Sequence, residues 1–202
     1  MTDHRSTRAP LRRVLIASLA AFTVLSGCGY NEVIDQDETV KATWAEVQNQ
    51  YKRRADLVPN LVKVVQGAAN FERETLQKVV EARASVGSLK VDASTIEDPQ
   101  KLQEFEAAQA KLGGALSRLL VVSENYPDLK SNASFRDLQS QLEGTENRIA
   151  VARTDYNTAV GEYNAYIRRF PYNLTAKVFG LGTPREYFEA AAGSTEAPKV
   201  SF

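Results

Sequence analysis

The sequence predicts an all-α protein, on three observations. From Asp37 onward, apolar residues recur every three or four positions, the spacing that gathers them on one side of a helix. No comparable segment alternates with period two. The few interruptions carry the residues of turns and helix caps. Short connections between long helices join antiparallel neighbours, so the expected architecture is an elongated antiparallel up-and-down four-helix bundle over residues 37–191.

The chain begins with a targeting pattern. Arg5, Arg8, Arg12 and Arg13 stand against one acid, Asp3, and the apolar run Val14–Leu25 comes next. Twelve helical residues span about 18 Å, against a bilayer core about 30 Å thick. The run is short for a spanning helix and right for the apolar region of a signal peptide. Small residues and the chain's only cysteine come after it, giving Leu25-Ser26-Gly27-Cys28. This resembles the bacterial lipobox, which implies cleavage after residue 27 and lipid on Cys28. Several acyl chains then anchor stably where one would not. An uncleaved membrane anchor is the competing reading. Residues 28–36 are expected to be anchor and short linker. Gly29, rather than Asp, stands after the cysteine, which leans toward the outer membrane if the envelope is Gram-negative.

The first helices are expected at 31–57 and 59–87. Val40, Trp44, Val47 and Tyr51 open the stripe, and Leu57, Leu61, Val64, Ala68, Phe71, Thr75, Val79, Ala82 and Val86 continue it. Pro59 lacks an N–H and crowds the preceding turn, so this stretch is either two packed helices or one helix kinked there. Residues 87–98 read as a loop. Asp98 as N-cap with Pro99 at the first helical position starts the next helix, expected at 99–125 with Leu102, Phe105, Ala108, Leu112, Ala115, Leu119 and Val122 inward. Asn125–Ser134 is a connection. The last long helix is expected at 134–170, with Ser134 and Asp137 as a weak capping box and an apolar stripe from Phe135 to Phe170. Pro171 closes it, at a length of about 55 Å. Gly180 and Gly182 break the stretch after Pro171. Thr183-Pro184 can start a short helix to about Ala191, and residues 192–202 read as a flexible tail.

Composition narrows the function. The whole chain has 25 basic and 25 acidic residues; cleavage removes four and one, leaving 21 and 24 and a net charge of about −3. No basic excess remains to hold nucleic acid. The single histidine, His4, lies in the signal. Its loss removes the usual general base near neutral pH, and a lipidated Cys28 removes the thiol. No enzymatic activity, cofactor or metal is expected.

Four blocks carry a family likeness: Arg53–Val65, Glu72–Ser85, Tyr126–Asn132 and Gln141–Pro171. Together they resemble the LemA family of bacterial envelope proteins, over residues 30–190. The resemblance implies a membrane-tethered elongated helical bundle of no established activity. Many such proteins have an N-terminal membrane segment without a lipobox; the LSGC of this chain departs from that and suggests lipid in place of a protein anchor.

Several constellations invite a role. Glu143 and Glu146 share a face of the last long helix, with Asn147 and Arg148 beside them. They read as a polar layer that sets helix register or contacts a partner, with a divalent-cation site as the rival. Bundle metal sites usually add histidine, which is missing here. Tyr156-Asn157 and Tyr163-Asn164 repeat seven apart, as core tyrosines with edge hydroxyls or as a partner stripe. Arg168-Arg169 suits the negative end of its helix; a lipid-headgroup contact is the alternative. Trp44 and Tyr51 read as core, or as an interfacial belt near the anchor. Phe179-Gly180-Leu181-Gly182 and Tyr187-Phe188 either lid the bundle or form a partner patch. The expected role is a scaffold or adaptor, anchored to the membrane and facing the periplasm or exterior, with unidentified envelope proteins as partners. The rivals are an accessory regulator of a membrane enzyme or envelope stress signalling, and a carboxylate-based cation binder or hydrolase.

Overall fold

The computed structural model describes residues 8–68 and 71–189, with side chains from Gly29 onward. The side chain of Cys28 and the expected tail, residues 192–202, lie outside the described residues. The described chain is helical, with no strand: α1 (Arg8–Gln66), α2 (Arg73–Ser88), a 3-10 turn (Ala93–Ile96), α3 (Pro99–Ser123), α4 (Pro127–Ser131), α5 (Ala133–Tyr166) and α6 (Tyr172–Val178). Among the described residues no helix is long and apolar enough to cross a membrane.

Helix α1 departs from expectation twice. It passes through Pro59 and stops only at Gln66. Proline at 59 leaves the Ala55 carbonyl without its helical donor, and the Arg83 side chain of α2 donates Nε–H to that oxygen at 3.2 Å. The break therefore falls after Gln66 rather than at 57–59. Residues 29–30, ahead of the helix expected from 31, are helical too, and Val33 is buried.

Helices α1 and α5 are the main packed pair, and α2 lies on α3. Contacts along the first pair run in opposite order: Gly29 with Tyr166, Trp44 with Tyr156, Arg54 with Glu146. Two apolar cores result. One joins Val33–Tyr51 of α1 to Ile149–Tyr163 of α5, with Ile96, Phe105, Ile167, Ala176 and Phe188. The other joins Val58–Val65 to Phe135–Leu142, with α2 and the later part of α3. The buried stripe of α1 is Tyr51, Arg54, Val58, Leu61 and Val65, while Leu57 and Val64 are half-buried. In α3, Gln109 and Leu116 are buried in place of Ala108 and Ala115.

Asp98 caps α3, its carboxylate accepting from the Gln100 N–H at 2.9 Å with Pro99 opening the helix. Helix α5 is capped by Asn132 instead of Ser134; its side-chain oxygen accepts from the N–H groups of Ser134 and Phe135 at 2.9 and 3.2 Å. It ends at Tyr166, before the expected Phe170, and its 34 residues span about 51 Å. Ile167 is buried and Phe170 is 80% exposed. Residues 181–189 carry no helix or strand, where a short helix was expected from Thr183-Pro184.

Candidate functional site

The Tyr-Asn repeat of α5 grips that segment. Asn157 donates to the Phe188 carbonyl at 3.0 Å and accepts from the Phe188 N–H at 2.9 Å. Asn164 does the same for Arg185, at 2.8 and 2.9 Å. Each amide satisfies one residue's donor and acceptor, as a neighbouring strand would. The spacing explains the repeat. Seven helical residues rise about 10.5 Å, and three extended residues advance about 10 Å, so Asn157 and Asn164 meet Phe188 and Arg185 in register. The Tyr156 hydroxyl donates to the Glu186 carbonyl at 2.7 Å, and that of Tyr163 to the Leu181 carbonyl at 2.6 Å. The Glu186 N–H donates to the Ile96 carbonyl at 2.9 Å. With the N–H groups of Arg185, Glu186 and Phe188 taken by side chains and the 3-10 turn, this stretch has no reason to coil. Burial raises the pKa of both tyrosines, so their hydroxyls stay protonated and donate.

Two side chains pin the strap inward. Arg185 donates to Asp37 at 2.6 Å and pairs with Glu97 at 2.6 Å. Asp37 also meets Lys41 at 2.8 Å. Burial opposes ionisation of Asp37, but hydrogen bonds from Lys41 and Arg185 outweigh it and hold the carboxyl below its ordinary range. Phe188 enters the aromatic cluster of Trp44, Phe105 and Tyr156, with ring centroids 5.9, 6.5 and 5.3 Å away. The Arg153 guanidinium stacks over it at 4.5 Å, bonded to Glu106 and the Glu189 carbonyl. Trp44 and Tyr51 are therefore core residues.

A second polar constellation separates the cores. Arg54, 4% exposed, donates to Glu146 at 2.7 Å, to the Gln109 carbonyl at 2.9 Å and to Gln109 Oε1 at 2.7 Å. Three helices meet there. Of the four residues singled out on α5, only Glu146 takes part. Glu143 is exposed and accepts from Gln139 within the helix. Asn147 and Arg148 are exposed and line an open depression of about 460 Å³ with Glu46, Gln50 and Asp155. Among the described residues no group of three His, Cys, Asp or Glu is assembled to hold a metal.

Helical spacing of apolar residues does not single out Asp37, Arg54, Gln109 or Arg185. The first three sit at stripe positions of their helices, among the residues that spacing selects for burial. A polar residue in step with an apolar stripe is the signal in the sequence that marks them.

Fold and site together define an all-helical protein built on one long N-terminal helix, whose interior polar groups hold its own C-terminal segment. The chain belongs to the LemA family, whose model matches residues 43–202. It is 28% identical over 213 residues to Magnetosome protein MamQ 2 of Paramagnetospirillum magneticum, covering 96% of this chain and 78% of that protein. Magnetosome protein MamQ of Magnetospirillum gryphiswaldense is 27% identical with the same coverage of each chain. Protein LemA of Metamycoplasma hominis is 24% identical over 151 residues, 75% of this chain and 65% of that protein.

Proposed function

We propose that the protein is a membrane-anchored scaffold of the cell envelope, without enzymatic activity, that presents the sides of an elongated antiparallel four-helix bundle to protein partners. Lipid on Cys28 holds it, after cleavage of residues 1–27, facing the periplasm or exterior. One observation carries the reading: α1 is helical from the first turn after Cys28 into the body and forms the spine of both cores. An anchor so joined sets the body's position as well as its location. The buried polar groups support a structural role, because Arg54, Arg185 and the Tyr-Asn repeat hold the protein's own chain. Family membership and the magnetosome relatives, named for a cell structure and not for a reaction, support membrane or envelope association.

Two experiments test it. Cys28→Ser should leave an unprocessed precursor, seen as a larger species on a gel; normal processing would overturn the lipid anchor. Photo-crosslinking in cells from the exposed positions Val121, Lys130 and Val151 should return a recurrent envelope protein from one face. Crosslinks only between copies of the chain would overturn the adaptor role.

A further inference from the structure

One end of the molecule is apolar, basic and exposed, and it is the end from which the anchor departs. Phe170, Leu174, Val178 and Phe179 are 80%, 54%, 79% and 55% exposed. Around them Arg168, Arg169 and Lys177 are exposed, and no acidic residue occurs between Glu162 and Glu186. Single exposed apolar residues are ordinary, but a cluster framed by one sign of charge marks a contact surface.

Its position says what it contacts. The first described turn after Cys28 is fastened to this end. The Tyr30 ring lies 4.4 Å from that of Phe179. Gly29 fits closely against Tyr172, whose Cδ1 would stand 2.7 Å from a Cβ at position 29. Tyr172 stacks on Tyr166 at 4.5 Å, and the Tyr166 hydroxyl donates to the Gly29 carbonyl at 3.4 Å. The exposed cluster is thus held beside the point where the chain leaves for the apolar run Val14–Leu25. This holds whether the anchor is lipid on Cys28 or the uncleaved segment. The first acids of α1 past Cys28, Glu32 and Asp35, come four and seven residues later, toward the body.

We propose that α6 and its flanks form a foot that rests in the surface of an anionic bilayer. Phe170, Leu174, Val178 and Phe179 enter the boundary between headgroups and acyl chains. Arg168, Arg169 and Lys177 meet lipid phosphates, the pairing by which basic segments beside a membrane are attracted to anionic leaflets. The foot gives the tethered body a second point of contact, so it stands on the membrane in a fixed orientation. The proposal rests on the membrane-anchored reading, and the test separates the two.

A photoreactive amino acid is placed at Leu174 or Val178, and as controls at Val121 or Val151, in the full chain expressed in bacteria. Membrane fractionation reads the anchor, and mass spectrometry of the adducts reads the foot. Lipid adducts from 174 and 178 but not from 121 and 151 are expected. They should diminish in Arg168→Glu/Arg169→Glu/Lys177→Glu while the chain stays with the membrane. All these positions are exposed, so folding is retained, and an unchanged helix melting curve verifies it. A membrane-bound chain that gives no lipid adducts from 174 and 178, or only protein adducts, overturns the foot and leaves the anchor standing. Equal lipid adducts from all four positions also overturn it. A chain recovered from the soluble fraction overturns the anchor, and the foot with it.

Discussion

Asp37 sits in the apolar stripe of α1 between Val33 and Val40, and it is ionised there because Arg185 and Lys41 both donate to it. Removing one partner from a buried pair leaves a charge without compensation, at a cost of about 3–5 kcal/mol, whereas apolar replacement of both is often near neutral. Arg185 keeps the half-exposed Glu97, so Asp37→Asn should fall at the low end of that range. Asp37→Leu/Arg185→Met should be less destabilised than the sum of its single variants, as read by denaturant midpoints. The pH dependence has a definite sign. The folded pKa of Asp37 is depressed, so its stabilisation is fully present above the unfolded value of about 3.9 and is lost as pH falls through the folded value. Hydrogen exchange of the 181–189 peptide should therefore accelerate, relative to α5, below about pH 4. Asp37→Asn should remove that acid dependence, and a variant that retained it would assign the titration to another group.

At the scale of elements, the strap is not helical because α5 supplies its partners. Asn164→Ala would leave the buried N–H and carbonyl of Arg185 unpaired, each costing about 1–3 kcal/mol. It should open the strap to proteolysis near residue 185 while leaving the helix content of α1 and α5 unchanged. Asn164→Asp keeps the acceptor but sets a buried carboxylate oxygen against the Arg185 carbonyl, and should destabilise the strap at least as much as Asn164→Ala. Much at this scale is legible in the sequence. The stripe of α5 from Phe135 to Tyr163 is buried as its spacing indicates, and Asp98-Pro99 starts α3. The features that are not legible depend on partners distant in sequence. Pro59 reads as a break until Arg83, in the next helix, takes the Ala55 carbonyl. Thr183-Pro184 reads as a helix start until Asn157 and Asn164 take the backbone of Arg185 and Phe188. Of the EGTENRI group, helical spacing places Glu143 and Glu146 on one face but cannot say that only Glu146 finds Arg54.

For the whole molecule, two apolar cores are divided by the Arg54–Gln109–Glu146 layer, yet α1 and α5 run unbroken through both. The layer favours separate unfolding of the halves, and the shared helices oppose it. Breaking one core frays the helices that support the other, so the shared helices should win and unfolding should be one transition. Trp44 is the chain's only tryptophan and lies in the core nearer the anchor, so its fluorescence reports that half alone. Helix content by circular dichroism reports both halves. The two probes should give coincident denaturation curves. Leu61→Ala makes the sharper test, because Leu61 is fully buried in the other core and its truncation costs about 2–5 kcal/mol. If the halves are coupled, the Trp44 transition moves to lower denaturant by the same amount as the helix signal. A Trp44 transition left in place would show that the polar layer divides the rod into two independently stable halves.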